Sequence, residues 1–222
     1  MLLDYNLTLF QDDEVFKLNL DSILLAEYVT LKKNTKVLDL CSGNAIVPLI
    51  LLTKEKKLKI DCVEIQKNAC ELAMKNIKAN NFESRINVIN DNLNNIKRRN
   101  YYDIITCNPP YYKENNNKSL NLSRRISKYE IYTNIEEIVK YSKKYLSPKG
   151  KLFIVFKPER IAELIFLLKK YNFGVLNITN IITKSKKVNL VLVESQKSRK
   201  DNTRINILDV QKLNSYKNIF NK

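Results

Sequence analysis

The sequence predicts an α/β fold, a mostly parallel sheet with helices packed on both faces. Three observations predict it. Apolar runs of strand length alternate along the chain with segments whose apolar residues recur at helical spacing. The first strand, at 36–40, runs directly into the small-residue turn Cys41-Ser42-Gly43-Asn44-Ala45 and then into a strongly apolar helix at 46–53. In such strand–turn–helix units the helix-start N–H groups face a ligand. Acidic or amide residues then stand at the ends of the second, third and fourth strands, the rim where ligands bind in open α/β sheets.

Residues 1–34 are expected to form an N-terminal extension over that rim. Leu7 and Leu9, then Phe16, Leu18 and Leu20, alternate as a short hairpin or lid would. Asp21 is placed as the N-cap of a helix at 22–30, within reach of a cofactor. The main domain is expected at 35–196. Its second strand, 58–63, ends in Glu64, 21 residues after Gly43, a spacing at which a carboxylate accepts hydrogen bonds from both hydroxyls of a ribose. A helix at 68–80 buries Ala69, Leu72, Ala73 and Ile77. The third strand, 86–89, leads into Asn90-Asp91-Asn92, with Asp91 positioned to meet an adenine amino group. Asn44, Ile65 and Asn92 adjoin these positions and are assigned to the same cofactor site.

The fourth strand, 102–107, delivers Asn108-Pro109-Pro110-Tyr111. Residues 112–128 follow without any periodic pattern and carry five basic residues against one acidic. They read as a flap contacting RNA through Tyr112, Lys113, Arg124, Arg125 and Lys128. Thr133 and Glu136 form a capping box for a helix burying Ile135, Ile138, Val139, Ser142, Tyr145 and Leu146. A turn at 147–150 feeds a strand at 151–156, and Pro158 opens a helix with Ile161, Leu164, Ile165 and Leu168 inward. Strands at 175–182 and 188–194 close the sheet as an antiparallel pair, giving seven strands of which one is antiparallel. Residues 197–222 read as a basic C-terminal tail.

Composition narrows the chemistry. The chain of 222 residues has no histidine, which removes Ser-His and Cys-His nucleophilic systems. Its four cysteines form no Cys-x-x-Cys pair, so no metal site is expected and they read as reduced, buried thiols of a cytoplasmic protein. The N-terminus lacks the basic and apolar regions of a signal peptide, and no run is long enough to span a membrane. A net charge of +16 favours a polyanionic partner such as RNA, with an AT-rich genome supplying part of the lysine.

Asn108-Pro109-Pro110-Tyr111 carries the reaction class. Two prolines cannot continue a strand, so the backbone leaves the sheet edge in one stiff bend. The Asn108 amide oxygen and the Pro109 carbonyl can accept both hydrogens of one NH2 group, and the Tyr111 ring can stack on a planar ring beside it. An exocyclic or amide nitrogen is a poor nucleophile because its lone pair is delocalised. Two acceptors on its hydrogens favour a tetrahedral geometry and stabilise the positive charge that grows as a methyl group arrives.

These residues resemble the class I S-adenosylmethionine-dependent methyltransferases of the Asn-Pro-Pro-Tyr type, and within them the bacterial tRNA1(Val) adenine-37 N6-methyltransferase group. The matching stretches are Phe16-Lys17-Leu18-Asn19-Leu20-Asp21-Ser22-Ile23-Leu24-Leu25-Ala26, Val37-Leu38-Asp39-Leu40-Cys41-Ser42-Gly43-Asn44 and Val63-Glu64-Ile65-Gln66. They continue through Thr106–Tyr112, Tyr129-Glu130-Ile131 and Asn189-Leu190-Val191-Leu192-Val193-Glu194. The resemblance implies a seven-stranded Rossmann-like domain that methylates adenine N6 in a tRNA anticodon stem-loop, as a monomer and without a metal. It implies that Asp39, Cys41, Gly43, Glu64 and Asp91 line the cofactor site, that Asn108 and Pro109 grip the adenine N6 and that Tyr111 stacks on the base. The chain departs from the group at Ala45, where glycine is usual and where a methyl is expected to reduce cofactor affinity, and at Lys128-Tyr129-Glu130, where the group tends to have Arg-His-Glu. The same motif also serves methylation of a release-factor glutamine and of ribosomal RNA adenines. An RNA-binding protein with a degenerate cofactor site is the non-enzymatic alternative, and a dinucleotide oxidoreductase is disfavoured because G-x-G-x-x-G is missing.

Overall fold

The computed structural model describes residues 5–12, 19–114, 122–183 and 186–212. Phe16 and Leu18 of the expected hairpin, and the middle of the 112–128 flap, lie outside them. Among the described residues eight strands form one sheet: β1 (Lys36–Leu40), β2 (Lys59–Glu64), β3 (Ile86–Asn90), β4 (Tyr102–Cys107), β5 (Leu146–Phe156), β6 (Phe173–Ile182), β7 (Val188–Lys197) and β8 (Arg204–Asp209). Their order is β3-β2-β1-β4-β5-β7-β6-β8. Only β7 runs antiparallel to its neighbours, as expected. The strand count is corrected from seven to eight. β8 pairs in parallel with β6 along its whole length, so the expected tail enters the sheet. Its apolar residues Ile205 and Ile207 face solvent, so main-chain pairing rather than burial defines this strand.

Six α-helices lie among the described residues: α1 (Leu20–Tyr28), α2 (Ile46–Lys54), α3 (Lys67–Ala79), α4 (Leu122–Lys128), α5 (Ile135–Tyr145) and α6 (Ile161–Lys170). β1 lies between β2 and β4 and is buried at four of its five positions, which is why Val37, Leu38 and Leu40 are apolar on both faces and Asp39 needs partners for both its oxygens. The turn expected at 147–150 persists as a break inside β5. Its register against β4 jumps from Tyr102–Leu146 to Ile104–Lys151, with Lys149 at φ 63°.

Two expected caps are corrected. The N-cap of α1 is Asn19, whose Oδ1 accepts from the Ser22 N–H at 3.0 Å, and this frees the Asp21 side chain. The N-cap of α5 is Asn134, accepting from the Glu137 N–H at 3.0 Å, so the capping pair lies one residue beyond Thr133 and Glu136. In both cases two residues within two positions of each other were competent caps, and tertiary contacts decided between them. The N-terminal segment is tied to α3 by two asparagines one turn apart. Asn76 binds the N–H and C=O of Phe10, and Asn80 binds those of Thr8.

Candidate active site

One pocket opens at the carboxyl ends of β1 to β5. It is lined by the Cys41–Asn44 turn, by Glu64, Ile65 and Gln66, by Asp91 and Asn92, by Asn108–Tyr112, and by residues of and after α4. The topology explains the convergence. Parallel strands send all their exits to one rim, so residues far apart in sequence meet there.

Around the glycine turn, Gly43 has φ 54°, and nothing lies within 4 Å of where a Cβ would stand. The requirement for glycine is therefore conformational, and the space above it is left for a ligand. Glu64 is buried, and its carboxylate accepts from the Gly43 N–H at 2.9 Å and the Gln66 N–H at 3.0 Å. Burial raises its carboxyl above the ordinary range against those hydrogen bonds. The Asn44 Nδ2 is buried without a partner among the described residues and its residue lines the pocket, a donor that a ligand carboxylate or hydroxyl would satisfy. With Asp91 at the next strand end, this donor and acceptor set fits a cofactor carrying a ribose, an adenine and an amino-acid carboxylate.

Ala45 does have positive φ, at 64°, and is the residue preceding α2. Its methyl does not reach the pocket. It is fully buried in the core cluster, so the positive φ on which the expected loss of cofactor affinity rests is present while the side chain lies outside the pocket lining. Left-handed backbone costs a non-glycine residue about 1–2 kcal/mol, while glycine would lose a buried methyl worth about 0.8 kcal/mol and gain unfolded-state entropy worth about 0.4–1 kcal/mol. These terms nearly cancel. Ala45→Gly is expected to leave the melting temperature and the cofactor affinity close to wild type, as read by thermal melts and calorimetric titration.

Asp39 and Asp21, both expected at the cofactor, do not line the pocket. Asp39 lies beneath its floor, accepting from Ser42 Oγ and Thr106 Oγ1 at 2.5 Å each, so it holds the Ser42 turn to β4. Burial pushes its carboxyl up to about 7. A carboxyl held above its ordinary value binds its proton more tightly in the folded state. Its stabilising contribution is whole below about pH 4 and is lost as pH rises through about 7. Asp39→Asn removes this loss, so the variant's melting temperature is expected to fall less than that of wild type between about pH 5 and pH 8.

Asp21 meets the Asn-Pro-Pro-Tyr turn instead. The Tyr111 hydroxyl lies 2.7 Å from Asp21 Oδ2 and 2.6 Å from Asn108 Oδ1, and Asn108 Nδ2 donates to Ser22 Oγ at 2.9 Å. The Tyr111 ring is 8% exposed and packs edge-on against Phe156 and Tyr112, with Lys157 Nζ 4.9 Å from its centroid. Lys157 therefore covers one face of the ring. Arg160 braces the turn from behind, donating to the Tyr111 carbonyl at 2.9 Å while pairing with Glu130 at 2.9 Å and Glu163 at 2.8 Å.

Of the residues expected to contact RNA, Tyr112 and Lys128 line the pocket mouth. Lys113, Arg124 and Arg125 do not, and Arg125 is paired with Glu114 at 3.6 Å. The described end of the flap is helix α4, fastened across the pocket to the start of α3 by Gln66, which bonds Ser123 and Ser127. Sequence reading missed Ser22, Gln66, Lys157 and Arg160. Ser22 and Gln66 lie inside quoted motif stretches, whereas nothing in the pattern around Lys157 and Arg160 marks them. Part of the positive charge lies elsewhere. Lys36, Lys59, Arg85 and Arg98 gather at the opposite rim, with Lys36 and Arg98 each 4.4 Å from the Tyr101 centroid.

The methyltransferase small domain family model matches residues 6–180. A tRNA1(Val) (adenine(37)-N6)-methyltransferase from Aliivibrio salmonicida is 26% identical, covering 78% of this chain and 74% of its own. The protein of the same description from Tolumonas auensis is 28% identical, with 82% and 77% covered. Among solved structures, a predicted O-methyltransferase from Agrobacterium tumefaciens superposes with a TM-score of 0.67 at 20% identity, covering 85% of this chain and 87% of that one. A SAM-dependent methyltransferase from Aquifex aeolicus gives 0.58 at 15% identity, with 79% and 88% covered. These structural likenesses speak to the fold.

Proposed function

The chain belongs to the methyltransferase small domain family, and from that premise we propose that it transfers the methyl group of S-adenosylmethionine to the N6 amino group of an adenine in tRNA. The observation that carries this reading is Asn108-Pro109-Pro110-Tyr111 at the exit of β4, lining the same pocket as Gly43, Glu64 and Asp91. The names of the curated relatives support adenine N6 and tRNA over a glutamine amide. S-adenosylmethionine, when bound, supplies a methyl group on a positively charged sulfur.

In this reading Glu64 accepts from the ribose hydroxyls, Asp91 from the adenine amino group, and Asn44 donates to a polar group of the cofactor, with Cys41, Gly43, Ile65 and Asn92 completing the wall. Asn108 Oδ1 and the Pro109 carbonyl accept the two N6 hydrogens of the target adenine. The nitrogen lone pair is thereby taken out of conjugation and directed toward the side of the pocket where a cofactor held by Glu64, Asn44 and Asp91 would supply the methyl group. The surplus N6 proton then leaves to solvent. The target base enters over Tyr111 in place of Lys157. Tyr112, Lys128 and the adjoining basic residues of the flap meet the anticodon loop, where an unpaired base is cheaply extruded.

No helix among the described residues is long and apolar enough to cross a membrane. We assign the protein to the cytoplasm as a metal-independent monomer whose catalytic domain is 35–196, extended by β8. The test is incubation with labelled S-adenosylmethionine and unmodified total tRNA, followed by nucleoside analysis. N6-methyladenosine is the expected product, and label in ribosomal RNA or release factor alone would replace this reading.

A further inference from the structure

Asp21, Tyr111 and Asn108 form a chain in which one phenolic proton faces two acceptors, Asp21 Oδ2 at 2.7 Å and Asn108 Oδ1 at 2.6 Å. A phenol has a single proton to donate, so both bonds cannot come from Tyr111. The chain has two consistent states. With Asp21 protonated, its O–H donates to Tyr111, and Tyr111 donates to Asn108, whose oxygen is then occupied on that side. With Asp21 ionised, the Tyr111 proton turns to the carboxylate, the stronger acceptor. Asn108 Oδ1 is then left facing phenol lone pairs and in need of a donor. Ser22 holds the other end of the amide at 2.9 Å, which fixes the oxygen toward Tyr111 in both states.

We propose that Asp21 is a positioning residue that selects, through the Tyr111 hydroxyl, whether Asn108 can accept a hydrogen from the substrate amino group. The ionised carboxylate draws the phenolic proton away and opens Asn108 to its substrate. The protonated carboxyl closes it. This rests on the proposed amino-group acceptor, and it gives the Asp-Ser pair at the start of α1 a task distinct from cofactor contact. The groups facing Asp21 are Tyr111 from the turn after β4 and Lys157 from the segment after β5. Cys107 and Tyr112 lie beyond, against Tyr111. Burial raises the Asp21 carboxyl above its ordinary value, opposed first by the Tyr111 hydrogen bond and then by the Lys157 charge. Turnover is therefore low at acidic pH and rises as Asp21 ionises.

Two substitutions separate this from a merely structural role. In Asp21→Asn the side-chain NH2 donates to Tyr111 as the protonated acid does, so Tyr111 stays locked on Asn108 at every pH. Turnover is expected to fall about tenfold, the loss of one hydrogen bond of about 1.4 kcal/mol, and the acidic limb of its pH profile disappears. Tyr111→Phe keeps the ring and removes the contested proton. Added to Asp21→Asn, it is expected to recover most of the lost turnover. A double variant no better than Asp21→Asn, or an Asp21→Asn enzyme that keeps the acidic limb, would overturn the proposal. The Asp21 carboxyl is also read without catalysis, by 13C NMR of the labelled protein. Its titration must be present in wild type and must move to higher pH in Lys157→Met, where the neighbouring positive charge is lost; an Asp21 resonance that does not titrate above the ordinary carboxylate range overturns the switch. If wild type methylates no tRNA, the substrate reading fails, while the NMR titration still reports on the switch.

Discussion

Asn108→Ala is expected to lower methyl transfer by about 100- to 1000-fold, or about 3–4 kcal/mol of transition-state stabilisation. The amide oxygen is one of only two acceptors proposed for the hydrogens of the target amine. Removing it leaves the nitrogen conjugated and its developing charge unmet. Cofactor affinity is expected to survive, because the groups assigned to the ribose and adenine, Glu64 and Asp91, sit on β2 and beyond β3. Equilibrium binding of S-adenosylmethionine measured beside turnover decides the matter, and loss of binding would move Asn108 to the cofactor. The variant also frees the Tyr111 hydroxyl for Asp21 alone, so its residual activity is expected to lose the acidic limb.

Arg160→Ala is expected to cost about 3 kcal/mol of stability, a fall of about 6–12 °C in melting temperature for a chain of this size. Arg160 and Glu130 are 14% and 9% exposed, so deleting the guanidinium leaves a buried carboxylate without its charge partner. Glu130 also accepts from the Ile135 N–H at 3.2 Å, so the start of α5 loosens with it. The Tyr111 carbonyl loses its donor at the same time. A drop in turnover larger than the loss of folded protein is therefore expected at temperatures where the variant remains folded. Arg160→Lys is expected to recover only part, because an ammonium cannot serve Glu130, Glu163 and the carbonyl together as a planar guanidinium does. Thermal melts of both variants check this, and wild-type stability in Arg160→Ala would show that solvent replaces the brace.

Elements defined by their own apolar period were legible. The strand at 102–107 has the bounds the sequence suggests, and α2 and α3 differ from expectation by a residue at their ends. β8 was not legible, because its isoleucines face solvent and its pairing partner β6 lies more than twenty residues earlier. At the site, Gly43, Glu64, Asp91 and Asn108 were placed at strand exits from order and spacing, and the pocket gathers them. Asp21 and Asp39 were assigned to the cofactor and neither lines the pocket, for one reason. A carboxylate near a rim reads identically whether it faces the ligand or a hydroxyl behind the wall.

By itself the sequence determined the alternation of strands and helices, the rim at which the chemistry-bearing residues collect, and the stiff turn that presents Asn108. Those follow from local rules: periodicity, the conformational demand at Gly43, and the missing N–H groups of Pro109 and Pro110. Only the tertiary structure decided which neighbour each polar atom meets. It turned the Ala45 methyl into the core, set Asp39 under the floor, laid Lys157 over Tyr111 and brought Asp21 to a hydroxyl ninety residues away. The physical reason is that hydrogen bonds and burial act over a few ångströms in space. Sequence spacing fixes such distances within one helix or strand and leaves them open between elements.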